Sequence, residues 1–212
     1  MDDTSDLPDV LPAGEAQDED LSQSNDHHVA LMLRVRDGDV RAFEELVSIH
    51  QRAVIGTVAK MLGHPDDAED IAQQVFIRIW KSAKRYEPQA KFTTWLFTIT
   101  RNLVFNEMRR RQRKPVVSFD EREDDFHIGT PDDSAKNPDE SILQRELEDA
   151  IDRAIQQLPE KQRLAVILRR YEDMPYEEIG EILHLSLPAV KSLLFRARTQ
   201  LKESLAAYLG QD

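Results

Sequence analysis

The 212-residue sequence predicts an all-α protein, with two small helical domains joined by an acidic flexible linker. Three observations carry this reading. Apolar residues recur at helical spacing through residues 27–114 and again through 141–209. No alternating apolar/polar stretch is long enough to build a sheet. Two segments, 1–26 and 115–140, interrupt the periodicity with acids and prolines.

Each element follows in chain order. Residues 1–26 hold nine acids and no Lys or Arg. They carry too few large apolar side chains to offset ordering entropy, which predicts a disordered acidic leader. Leu31, Leu33, Val35, Phe43, Leu46, Val47 and Ile49 then follow a helical period, broken at Asp37-Gly38-Asp39. Residues 51–62 continue it and stop at Gly63-His64-Pro65. Asp66 or Asp67 is placed to cap the next helix, which runs to about Arg85. Pro88 breaks the chain. Thr93 or Thr94 lies near the start of a long helix ending in Arg109-Arg110-Arg111, cations that suit a helix C-terminus. Residues 115–140 contain three prolines and many acids, and read as a self-repelling linker. Further helices are expected over 141–157, 160–171 and 175–183. Ser186 is a candidate N-cap for the last helix, with Pro188 in its first turn.

Charge is unevenly divided. The formal net charge is −12, yet residues 27–114 hold sixteen Lys and Arg against ten acids. The acidic pI therefore does not argue against nucleic-acid binding. The chain has no Cys, which excludes disulfides and thiol chemistry. No apolar run approaches the roughly 18 residues of a membrane span, and the leader lacks the basic start of a secretory signal. A cytoplasmic setting is the expectation.

The string YEEIGEILHLSLPAVKSLLFRAR has the parts of a helix-turn-helix. Gly180 is the small residue such a motif needs where its helices cross. Ile179, Leu183, Leu185, Val190 and Leu194 supply the inner face, and residues 184–186 the turn. Lys191, Ser192, Phe195, Arg196 and Arg198 would then face a major groove and its phosphates. The same spacing also suits a helical hairpin with a solvated basic face. Upstream, DAEDIAQQVFIRIW has an apolar stripe of Ala68, Ile71, Ala72, Val75 and Ile79. Asp70, Gln73, Gln74 and Ile77 lie elsewhere, with Phe76 and Trp80 at the margin. A large apolar residue on a polar face suits a protein partner, though an ordinary amphipathic helix also fits. Between 86 and 114, Tyr86, Phe92, Trp95, Phe97 and Phe105 are interleaved with Lys91, Arg101, Asn102, Asn106 and an Arg cluster that includes Arg109 and Arg110. Aromatics stack on unpaired bases and cations follow the backbone, which suits single-stranded DNA. At helical spacing the same aromatics also suit a core.

Taken in order, DAEDIAQQVFIRIW, FTTWLFTITRNLVFNEMRRRQRK, LPEKQRLAVILRRYEDMPYEEIGEIL and AVKSLLFRAR resemble the extracytoplasmic-function (ECF) group of the bacterial sigma-70 family. The resemblance implies a region 2 bundle over 27–114 and a region 4 helix-turn-helix over 141–209. It implies binding to core RNA polymerase through Asp70, Gln73, Gln74, Phe76, Ile77 and Trp80. It implies recognition and melting of the promoter −10 element by Tyr86, Lys91, Phe92, Trp95, Arg101, Asn102, Asn106, Arg109 and Arg110. Asn102 would help hold a flipped base, in a pocket formed by the 87–92 loop. The −35 element would be read by Ser186, Pro188, Ala189, Lys191, Ser192, Phe195, Arg196 and Arg198. An anti-sigma factor is the implied regulator, and no cofactor or metal is implied. Gln74, Leu193 and the Pro188-Ala189 pair depart from the group's usual residues, which bears on the −35 sequence more than on the function.

Two other readings compete. A polymerase-independent helix-turn-helix regulator would bind duplex DNA alone, usually as a dimer, but no dimer seam is visible. An enzyme is disfavoured. His27, His28, His50, His64, His127 and His184 are scattered, and no HExxH, GxSxG or P-loop string occurs. His64 with Asp66 and Asp67 is the best metal grouping, and a turn with an N-cap explains it better.

Overall fold

A computed structural model describes residues 15–63, 67–113 and 138–206, with side chains from residue 24 in the first helix and from 146 in the fifth. Within these residues the chain is helical: α1 (Glu15–Arg36), α2 (Val40–Leu62), α3 (Ala68–Ser82), a 3₁₀ turn (Ala83–Arg85), α4 (Phe92–Arg113), α5 (Pro138–Gln156), α6 (Glu160–Tyr171), α7 (Tyr176–Leu183) and α8 (Leu187–Ser204). No strand occurs among the described residues.

Local chemistry sets the helix boundaries. Gly38 takes φ +95°, a conformation that an L side chain rarely adopts. Asp39 then caps α2, its carboxylate accepting from the Ala42 N–H at 3.1 Å and from Arg34 at 2.7 Å. These bonds hold the Asp39 carboxyl below its ordinary pKa. At the other end Gly63, at φ +75°, donates its N–H to the Ala59 carbonyl at 2.8 Å.

Each domain buries its apolar stripes. Leu31, Met32, Leu46, Val54, Met61, Ile79, Phe92 and Leu96 fill the centre of α1–α4. Leu158, Leu164, Ile167, Leu168, Ile179, Ile182 and Val190 fill that of α5–α8. The two domains also touch, α2 against α5 and α6, and α4 against α7. All of these buried residues except Leu158 belong to one continuous cluster that spans both domains. Polar contacts line this seam. Lys60 donates to Asp152 at 3.1 Å and lies 4.4 Å over the Tyr171 ring. Arg163 donates to the Met61 carbonyl at 2.7 Å.

Two expectations need correction. The leader was expected to be disordered through residue 26, but α1 already begins at Glu15. No Gly or Pro interrupts residues 15–36, and a helix anchored by Leu31, Met32 and Val35 extends at little cost once nucleated. At the far edge of the linker, α5 starts at Pro138, inside the span expected to be extended; proline is tolerated in a first helical turn. Residues 1–14, Lys114, most of the linker (115–137, with His127), His64, Pro65, Asp66 and residues 207–212 lie outside the described residues.

Candidate nucleic-acid interface

The turn between α7 and α8 depends on two backbone features. His184 takes φ +55°, which reverses the chain, and the Leu185 N–H bonds to the Gly180 carbonyl at 2.9 Å. A Cβ on Gly180 would sit 2.8 Å from the Leu185 carbonyl oxygen, so only glycine fits this crossing. Ser186 occupies the N-cap of α8 by its backbone, although its side chain makes no capping bond. Pro188 sits in the first turn, as expected.

Val190, Leu193, Leu194 and Ala197 turn α8 inward. Lys191, Ser192, Phe195, Arg196 and Arg198 face solvent, together with Ser186 and Pro188, while Ala189 is half-buried. Phe195 is 71% exposed, an unusual position for a phenyl ring. Arg198 donates to the Tyr176 hydroxyl at 3.2 Å.

The α3 surface is partly as expected. Asp70, Gln73, Gln74, Ile77 and Trp80 are exposed. Ile77 is half exposed, and the Trp80 ring packs 5.0 Å from Phe43. Phe76 is turned into the core, so it supports this face from beneath and does not display its ring.

The α4 region differs most from expectation. Tyr86 and Phe92 are buried, at 3% and 1% exposure, within an aromatic cluster with Trp95. Stacking among themselves buries more apolar area than facing water would, so neither ring is displayed for direct contact with DNA. Trp95 is half-buried. Asn102, Asn106, Arg109 and Arg110 are exposed. Arg110 and Arg111 both bind Glu107, whose carboxyl they hold down to about 2. Asn106, Arg109, Arg110 and Arg113 line a cationic hollow of about 300 Å³.

Other candidate cations on α4 are engaged by the second domain. Lys91 pairs with Glu178 of α7 at 2.7 Å, and Thr94 donates to the same carboxylate at 3.1 Å. Arg101 donates to the Ile182 carbonyl, approaches His184 at 3.2 Å, and binds the Asn102 side-chain oxygen at 3.1 Å. A cavity of about 390 Å³ lies alongside, with Tyr86, Glu87, Gln89, Trp95 and Thr98 among its walls and Glu181 of α7 at its edge. The Tyr86 hydroxyl has no hydrogen-bond partner there. Across the seam, burial pushes the Glu172 carboxyl up to about 7, with Asp173 adding to the shift and a bond from Thr57 opposing it.

The sequence did not point to Glu178, Glu181 or Glu172. Each meets its partner across a separation of more than 80 residues or at a cavity built by tertiary packing, and no local period carries that information. Among the described residues, no three His, Asp or Glu side chains converge as metal ligands. No helix there is long and apolar enough to cross a membrane.

Comparison with known proteins places these surfaces in a family. Residues 46–114 match the model of sigma-70 region 2, and residues 148–201 that of sigma-70 region 4. The RNA polymerase sigma-H factor of Pseudomonas aeruginosa is 32% identical, over 90% of this chain and 99% of that protein. The ECF RNA polymerase sigma factor SigW of Bacillus subtilis is 31% identical, over 81% and 93%. In fold, the chain is similar to CnrH, solved with the cytosolic domain of CnrY, at TM-score 0.61 and 23% identity over 85% of this chain and 98% of that one. It is also similar to RpoE of Bartonella quintana, solved with the anti-sigma factor NepR, at TM-score 0.58 and 24% identity over 77% and 96%. Two ordered helical domains, an exposed basic helix on a helix-turn-helix, and relatives matched along nearly their whole length agree, and the chain belongs to the extracytoplasmic-function group of the sigma-70 family.

Proposed function

We infer that this chain is a sigma factor: it binds core RNA polymerase and directs promoter-specific initiation of transcription. The observation that carries this is the union, in one family member, of two nucleic-acid-suited surfaces and a separate apolar docking patch. The domain limits proposed, adjusted to the helices, are 15–114 for polymerase and −10 binding, 115–137 for the linker, and 138–209 for −35 binding. Its role is that of a DNA-binding initiation factor, and we propose no bond-making chemistry, cofactor or metal for it.

Each surface has a physical task. On α8, Lys191, Arg196 and Arg198 supply charge for phosphates and base edges, and Phe195 supplies an apolar contact for a thymine methyl. Ser186, Ser192, Pro188 and Ala189 let the start of the helix approach the groove closely. On α3, Asp70, Gln73, Gln74, Ile77 and Trp80 form the polymerase face, with Phe76 beneath it. Burying Ile77 and Trp80 against a partner would remove apolar surface from water. An anti-sigma factor is the proposed competitor for such surfaces.

On α4, Asn102 and Asn106 offer amides to an extruded base, while Arg109 and Arg110 lie along its strand. Trp95 and Tyr86 wall the adjacent cavity. Unstacking a base costs a few kcal/mol, which stacking and hydrogen bonds in such a cavity offset. Lys91 and Arg101 reach DNA only after α7 releases them. Phe92 serves from within the core by holding the start of α4.

Reconstituted transcription tests the proposal. Core polymerase, the purified chain and fragments of the host genome are combined, and transcript starts are sequenced. Starts preceded by two spaced elements are expected. Tight duplex binding without polymerase, and no specific starts, would instead support the polymerase-independent regulator.

A further inference from the structure

The start of α4 is capped from a distance. The Lys91 carbonyl accepts from the Trp95 N–H at 3.2 Å, which puts Lys91 at the N-cap. Lysine has no side-chain acceptor, and its charge opposes the positive end of the helix dipole. The Phe92 N–H is met instead by Asn25 of α1, whose side-chain oxygen accepts it at 3.0 Å. Sixty-seven residues separate the two.

The same turn of α1 makes further contacts. The His28 ring lies 4.5 Å from that of His50 and 6.0 Å from that of Phe92. His27 Nε2 lies 3.1 Å from the Glu45 carboxylate. Phe92 is thus gripped by its backbone from α1 and by its ring from His50, Tyr86 and Trp95. The chain between Tyr86 and Phe92 is anchored at both ends, and part of it walls the cavity of about 390 Å³. Neither Asn25 nor His28 lines that cavity. Their effect on it passes through Phe92.

We propose that Asn25 is a positioning residue for −10 recognition, capping α4 from α1 and thereby setting the loop that forms the base-capturing cavity. This rests on the −10 role proposed above for α4. It also gives α1 a task in promoter opening.

The test uses the full chain with core polymerase, comparing wild type, Asn25→Ala and Asn25→Asp. Opening is read by permanganate reactivity of unpaired thymines, on promoters that differ at single −10 bases. Core affinity and −35 duplex binding are read in parallel. Asn25→Ala is expected to lower opening about fivefold, the factor that one lost helix cap of ~1 kcal/mol supplies, and to blunt discrimination between −10 bases. Core affinity and −35 binding should hold. Asn25→Asp should restore opening and discrimination, because a carboxylate accepts the same bond and suits a helix N-terminus. Unchanged opening in Asn25→Ala would overturn the proposal. So would a parallel fall in opening, core affinity and −35 binding, or an Asn25→Asp variant as impaired as Asn25→Ala. A wild-type chain that binds core yet shows no dependence on −10 bases would overturn the α4 reading itself.

Discussion

α4 and α8 both carry cations and aromatics suited to DNA, but they hold them in opposite states. On α8, Lys191, Ser192, Phe195 and Arg196 are exposed along one face, and the apolar residues of the opposite face are buried. On α4, Phe92 and Phe97 are buried, Lys91 is paired and Arg101 is bound to the end of α7. A face backed by a single hydrophobic stripe is set by helical period alone. One enclosed by α1, α2, α3 and α7 is set by its neighbours. The surface proposed for the −35 element is therefore exposed in the free chain, whereas the one proposed for the −10 element has contacts to give up first.

Four substitutions would break or sharpen that contrast. The largest effect is expected from Gly180→Ala. Its Cβ meets a backbone oxygen, which cannot swing away, so the turn must deform at a cost of about 2 kcal/mol. Thermal unfolding should fall by several degrees, and −35-dependent initiation with it. Arg196→Ala comes next. It should reduce initiation from promoters with a −35 element about tenfold, as expected for a lost charged base or phosphate contact, and leave unfolding unchanged.

Glu178→Gln is a smaller change aimed at the other helix. It removes the charge that holds Lys91 and weakens the bond to Thr94. Binding of a −10 single strand by the free chain should rise a few-fold, since a half-exposed ion pair is worth under about 1 kcal/mol. Duplex −35 binding should not change. The smallest effect concerns pH. The Glu172 carboxyl titrates near 7 when buried at the seam, above its ordinary value of 4.5. Its contribution to the closed seam is fully present below pH 4.5 and is lost as pH rises through 7. Inter-domain cross-linking should weaken as pH rises from about 4.5 to about 7, and Glu172→Gln should flatten that dependence.

The same contrast explains what was legible beforehand. Helix ends marked by local chemistry, such as Asp37-Gly38-Asp39, Gly63 and the turn at residues 184–186, match the structure closely. So does the orientation of α8. Phe76, Tyr86 and Phe92 were expected to meet partners and are buried, because an aromatic at a stripe's margin goes wherever a neighbouring helix offers cover. Asn25 lies in a stretch whose composition predicts no structure, yet it caps α4. No pattern in the chain pairs residue 25 with residue 92; only the packing of α1 across the start of α4 does so.

The central claim is that two separate surfaces divide the promoter between them. A matrix of variants against promoters tests it most directly, with reconstituted transcription as the readout. Lys191→Ala and Arg196→Ala would be crossed with Asn102→Ala and Arg109→Ala, on templates altered at the −35 or the −10 element. The account predicts that α8 variants lose sensitivity to −35 changes alone, and α4 variants to −10 changes alone. An α8 variant that altered −10 preference and kept full −35 sensitivity would contradict it.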